Sequence, residues 1–167
     1  MKIERQLQGT LNTVFTEIIK EKELESRIFP YATLEENRAD ITLKNKNGKP
    51  IFFIELKDPT AKDGKSVFDS NVLMRELIRA QNINIQFFGN CNFLACALFD
   101  KDKIKENVSV DSGYFSLIDI QRLSQNYTPN KDVLSKLRKI AEFYVDRALE
   151  ILDRKPIKFN DLDELFI

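Results

Sequence analysis

The chain has 167 residues, 43% of them apolar, with 13 Phe and 4 Tyr; this is enough for one compact core and too balanced a composition for a disordered segment. Its 26 basic and 26 acidic residues cancel, which withholds the cationic excess that a stand-alone nucleic-acid binder uses to hold phosphate. Histidine is absent, so Ser-His-Asp hydrolysis, Cys-His proteolysis, histidine-based nucleases and His-ligated zinc are excluded, and any chemistry rests on carboxylates, Lys, Arg, Tyr or a hard metal ion.

Residues 3 to about 25 place Ile3, Leu7, Leu11, Val14, Phe15 and Ile18 at helical spacing, which predicts an amphipathic helix. No stretch approaches the roughly 18 apolar residues of a membrane span, and the chain reads as cytosolic with no membrane partner. A weak strand pattern runs from Arg27 to Leu34. The segment "RADITLKNKNGKPIFFIELKDP" then sets two β-rich runs around Asn47-Gly48, the strongest short hairpin signal, and Pro59 ends the second run.

After the loop "DPTAKDGK", Ser66 is placed to cap a helix over 67–82, with Asp69 at its third position. Its expected core stripe is Val67, Met74, Leu77 and Ile78, with Gln81 near the centre. The apolar runs "INIQFF" and "NFLACALF" read as strands with Gly89-Asn90 near their junction. Cys91 and Cys96, read on one strand, fall on opposite faces, which predicts two buried free thiols rather than a disulfide or a shared metal. A short strand at 114–117 and a short helix at 118–123 follow. A long amphipathic helix over 131–152 closes the chain, with Leu134, Leu137, Ile140, Ala141, Tyr144, Val145, Ala148 and Ile151 on its apolar face. Residues 1–100 read as the core and 101–167 as an extension packed on the same domain.

The hairpin carries the chemistry. With a two-residue turn at Asn47-Gly48, Asp40 opposes Glu55, their Cβ atoms roughly 4.5 to 5.5 Å apart and able to share one cation. Lys57, two residues past Glu55, falls on the same face roughly 6 to 7 Å farther along. The other face reads Ile41, Leu43, Phe52, Ile54 and Leu56 and must pack against helices, while Ile51 and Phe53 predict partial burial of the charged face too. Two opposed carboxylates in such a setting repel unless a cation neutralises them. Asp40, Glu55 and the Leu56 carbonyl are hard oxygen ligands suited to Mg²⁺, which polarises a phosphodiester and lowers the pKa of an attacking water; Lys57 would orient that water or stabilise the charge that builds on the phosphorane.

"RADITL" followed by "IELKDP" resembles the PD-(D/E)xK nucleases, named for an acid on one strand and acid-x-Lys on the next; Ala39 stands where the customary Pro would be. The resemblance implies an α/β fold with a restriction-endonuclease-like core, α-β-β-β-α-β, its mixed central sheet flanked by helices, and a C-terminal helical extension. "RELIRAQNINIQFFGNCNFLACAL" resembles the segment after the catalytic Lys in nuclease domains of type I and type IIG restriction enzymes, where a Gln such as Gln81 belongs to the active site; Ile85 replaces the Tyr that often follows it. On the first helix Glu4 lies within the apolar stripe, and the resemblance makes it the candidate for an extra metal-binding acid. Arg75, Arg79, Lys62 and Lys65 are candidates for contact with a DNA backbone.

The activity implied is Mg²⁺-dependent endonuclease cleavage of double-stranded DNA, with Mn²⁺ able to substitute. "FNDLDELFI" after the last helix resembles the junction at which type IIG enzymes pass from nuclease to methyltransferase. The neutral charge agrees with a cleavage module whose methyltransferase and target-recognition region lies in the same or a partner polypeptide, and double-strand cleavage implies a transient dimer. Two other readings stand beside it, a non-catalytic interaction module on the nuclease fold and a structure-selective nuclease of the junction-resolvase kind.

Overall fold

Leu7, Leu11, Val14, Phe15, Ile18 and Ile19 are all buried along one side of the first helix, as their spacing requires. In a computed structural model of the chain, residues 3–29, 32–34, 39–102 and 131–153 are described, with the backbone alone at 3–6 and 33–34. The elements are α1 (Ile3–Glu21), β1 (Thr33–Leu34), β2 (Ile41–Lys44), β3 (Pro50–Leu56), α2 (Ser70–Asn82), β4 (Phe87–Cys91), β5 (Cys96–Asp100) and α3 (Lys131–Leu152). The short strand and helix expected at 114–123 lie outside the described residues. Among the described residues, no helix is long and apolar enough to cross a membrane.

The strands form one sheet in chain order, with β3 parallel to β4 and every other neighbour antiparallel. The fold is therefore α/β with a mixed sheet, and α2 is the crossover that a parallel pair needs. Both sheet faces are covered. Phe52, Ile54 and Gly89 face α3, where the Tyr144 ring lies 5.9 Å from that of Phe52. A Cβ on Gly89 would meet Tyr144 at 2.8 Å, so a side chain here would push the helix from the sheet. Phe53 and Phe88 stack on the opposite face, beneath Arg79 of α2. Helix α3 packs along α1 as well as on β3 and β5, and the buried Tyr144 hydroxyl shares its one proton between the carbonyls of Asn90 and Ala97. Burial pushes that phenol well above its ordinary range.

The hairpin turn differs from the two-residue expectation. Asn45 donates to the Lys49 carbonyl and its Oδ1 accepts from the Asn47 and Lys49 amides, which leaves Lys46, Asn47 and Gly48 as the loop, with Gly48 at φ 81°. A three-residue loop ending in a left-handed Gly is a standard hairpin alternative. The odd residue is then cancelled by a bulge: Lys44 opposes Pro50 while Leu43 opposes Phe52, so Ile51 is the extra residue. Beyond it Thr42 opposes Phe53 and Ile41 opposes Ile54, the register on which the Asp40–Glu55 juxtaposition rests.

Three further expectations are corrected. Helix α2 starts at Ser70 with Asp69 as its cap, accepting from the Val72 amide at 3.0 Å; Ser66 instead accepts from Phe68 in a local turn. Its buried side runs through Val72, Leu73, Glu76 and Ala80, leaving Met74 at 43% and Ile78 at 54% exposure and Gln81 exposed. Spaced one, three and four apart, Val72, Leu73, Glu76 and Ala80 form one helical face, and it carries a carboxylate. On α3, Leu134 is exposed and Val133 and Phe143 are buried.

Gly89-Asn90 lie inside β4, and the turn is formed by Asn92, whose Oδ1 accepts from the Leu94 and Ala95 amides. That turn separates the cysteines onto neighbouring strands as direct partners. Their Sγ atoms are 3.5 Å apart, both free and buried, with the Cys96 thiol pushed well above its ordinary range by burial.

Candidate active site

Strand β3 ends at Leu56, and its last residues leave the sheet between β2 and β4. Lys57 donates its amide to the Cys91 carbonyl of β4, which keeps it in line with the strand. On the other edge Asp40, just before β2, accepts from the Leu56 amide through Oδ2 at 2.7 Å. The Asp40 side chain thus extends the ladder and sits beside the residue between Glu55 and Lys57. Its own carbonyl accepts from Gln8 Nε2 of α1 at 2.8 Å, so the first helix fixes this end of the hairpin. The side chain of Glu4 lies outside the described residues.

Glu55 is 9% exposed and carries two cations: Lys57 Nζ at 3.4 Å from Oε1 and Arg79 Nη1 at 3.3 Å from Oε2. Lys57 also reaches Asp63 at 3.4 Å, and Asp63 lies 3.9 Å from Arg75. Glu76 completes the circuit, with Arg79 Nη1 at 2.9 Å and Arg75 Nε at 3.7 Å. Three acids and three bases alternate in a closed ring whose members range from the fully buried Glu76 to the half-exposed Arg75.

Glu76 is the member that sequence reasoning missed. It is 0% exposed, and neither carboxylate oxygen accepts a well-aligned hydrogen bond despite the nearby guanidinium groups. Burial, and then repulsion by Glu55, raises its pKa to about 7 against the pull of Arg79, Arg75 and Lys57. The available signal was its place between Leu73 and Ala80 on one helical stripe, with Arg79 one turn on.

The structure joins Glu55 to Lys57 directly and brings Asp40 to the backbone between them. Arg79, read as an outward DNA contact, is 22% exposed and lies inside the site, its guanidinium 5.7 Å from the Phe53 ring. Arg75 is on the rim, and Lys62 and Lys65 are exposed on the connecting loop. Gln81 is exposed near the end of α2, whose site-facing side carries Glu76 and Arg79 instead.

The connecting loop is tightly held. Asp58 Oδ1 accepts from the Thr60 amide and hydroxyl, Asn92 Nδ2 donates to the Gly64 carbonyl, and a Cβ on Gly64 would meet the Asp58 carbonyl at 1.8 Å. Asp63 is therefore presented to Lys57 from a fixed loop.

Among the described residues, no group of three or more acidic or cysteine side chains forms a metal cage. Magnesium seldom uses one, since one or two carboxylates with water and substrate phosphate suffice. Asp40 and Glu55 are the carboxylates at this end of β3, and Glu55 already draws two cations.

No protein family and no curated protein matches the chain in sequence. Among solved structures, the type IIG restriction endonuclease BpuSI matches with a TM-score of 0.56 and 14% identity, over 86% of this chain and 16% of that one. The chain thus spans under a fifth of that enzyme, and what the two share is a fold.

Proposed function

We propose that this chain is the cleavage module of a restriction-modification enzyme, hydrolysing phosphodiester bonds of double-stranded DNA with a divalent cation. The observation that carries the reading is the Glu55–Lys57 ion pair beside Asp40 at the end of β3, on a fold shared with a type IIG restriction endonuclease. The neutral net charge supports a module that cuts DNA held by a methyltransferase and target-recognition region of the same or a partner polypeptide. Pairing of two such modules would account for cleavage of both strands.

Asp40 and Glu55 would hold Mg²⁺ or Mn²⁺. A residue's N–H and C=O leave a strand on one side, so the Leu56 carbonyl faces the Asp40 edge and can join them. When bound, the metal supplies charge for the phosphate oxygens and acidifies an attacking water. Lys57 holds that water or donates to the charge that develops on the phosphorane oxygens. Arg79 meets a phosphate oxygen through the guanidinium that now faces Glu55, while Arg75, Lys62 and Lys65 contact the flanking backbone. Gln81 and Glu4 belong to this reading only as supporting positions at the ends of α2 and α1.

A plasmid-nicking assay with Mg²⁺ or Mn²⁺ tests the proposal: the parent nicks, and Asp40→Ala, Glu55→Ala and Lys57→Ala do not. Equal cutting by the Lys57 variant would remove the mechanism.

The closed charge ring favours a second reading, in which the fold is kept as a docking module and Lys57 and Arg79 simply neutralise Glu55. The two part on metal binding: a nuclease site gives a Mg²⁺-dependent rise in melting temperature that Asp40→Ala abolishes, and a docking module gives none.

A further inference from the structure

Helix α2 carries a carboxylate that the reaction above does not use. Glu76 is wholly buried without a well-aligned donor, and its contact is with the same Arg79 nitrogen that touches Glu55. Arg79 Nη1 is nearer Glu76, at 2.9 Å, than Glu55, at 3.3 Å. A buried acid of this kind is costly and needs a use or a partner.

We propose that Glu76 is a positioning residue that holds Arg79 back from Glu55, leaving Glu55 open to a divalent cation while keeping the guanidinium beside the phosphate. This rests on the metal-dependent reading and deepens it.

The argument is one of competition. A cation arriving at Glu55 must displace part of the positive charge already there. Lys57 shares its charge with Asp63, and Arg79 shares its charge with Glu76. Without the Glu76 carboxylate, Arg79 has Glu55 as its remaining partner inside the site and closes on it. The metal then meets a stronger competitor, and it also loses the attraction of a nearby negative charge. Both effects weaken metal binding. Phe53 lies under the guanidinium on the sheet side, 5.7 Å from it, and blocks its movement in that direction.

The test is Mn²⁺ affinity, followed by the spectroscopic signal of free Mn²⁺ and by the metal-dependent melting shift, in the full chain. Glu76→Gln should bind about tenfold more weakly, the lower end of what loss of a positioning group around a metal costs. Adding Arg79→Gln should restore affinity to within about threefold of the parent, because the competitor has gone. A loss of packing alone would not be repaired by a second truncation. Glu76→Asp, which keeps the charge but shortens its reach, serves in place of Glu76→Gln if the latter does not fold, with weakening in the same direction.

Parent-like Mn²⁺ binding by Glu76→Gln overturns the inference, as does a double variant as weak as the single. If the parent binds and Asp40→Ala does not, these results touch Glu76 alone. A parent that binds no Mn²⁺, or an Asp40→Ala chain that binds as well as the parent, overturns the nuclease reading and this inference with it.

Discussion

On the α3 side the sheet is closed by Phe52, Ile54 and the ring of Tyr144, whereas on the α2 side Phe53 and Phe88 give way toward the end of β3 to Glu55, Arg79 and Glu76. The first face is held by apolar area and by a tyrosine whose hydroxyl proton is shared between carbonyls of two strands. The second sets six charges in a ring, one of them with no exposure at all. Folding strength and chemical potential are thus placed on opposite sides of one strand, and β3 serves both because its side chains alternate.

The sharpest way to break that division is to truncate each face. Lys57→Ala should lower the cleavage rate about a thousandfold, the range for loss of a group that acts on the transition state, with little change in melting temperature. Phe52→Ala on the other face should cost about 4 kcal/mol in urea unfolding, as for buried aromatics generally, while the fraction that remains folded still cuts. If Lys57→Ala unfolds the chain, or Phe52→Ala leaves stability intact, the division is wrong.

A subtler consequence concerns pH. The folded chain holds the Glu76 proton more tightly than an unfolded chain does, since its pKa rises from 4.5 to about 7. The stability this contributes is fully present below about pH 4.5 and is lost as pH rises through about 7, up to about 3 kcal/mol by linkage. Without added metal, the parent should lose stability over that window by urea titration, and Glu76→Gln should flatten the profile and be the more stable chain above pH 7. A parent profile without that fall would show that the buried carboxylate is compensated. At the exposed end of the ring, Asp63→Asn should change stability by less than about 1 kcal/mol in the same assay, as half-exposed pairs do.

The hairpin was legible because alternation along β2 and β3 is strong and only one parity puts Ile41, Leu43, Phe52 and Ile54 together. That parity survived an error in the turn type, since the bulge at Ile51 offset it. The α2 side was less legible. Two caps competed, Ser66 and Asp69, and two stripes competed as well: the more apolar one through Met74, Ile78 and Gln81 faces out, and the one carrying Glu76 faces the sheet. A Glu in sequence reads as solvated; its burial depends on Arg79 and on the sheet it packs against, neither of which is local. The cysteines were misplaced for a similar reason, because Asn92 makes a turn in what reads as continuous apolar strand. Gln8 gave no signal at all, its role being a single bond across to the Asp40 backbone.

The extra residue at Ile51 also separates the hairpin into two mechanical parts. Between the tip and the acids lies a point where one strand is already out of step with the other, so a change of length among Lys46, Asn47 and Gly48 can be taken up there before it reaches Thr42 and Phe53. Lys46 is also tied by its amide to the Arg27 carbonyl, so the place to mount a dye or a short peptide is the exposed Asn47, beyond that bond and on the far side of the bulge from Asp40 and Glu55.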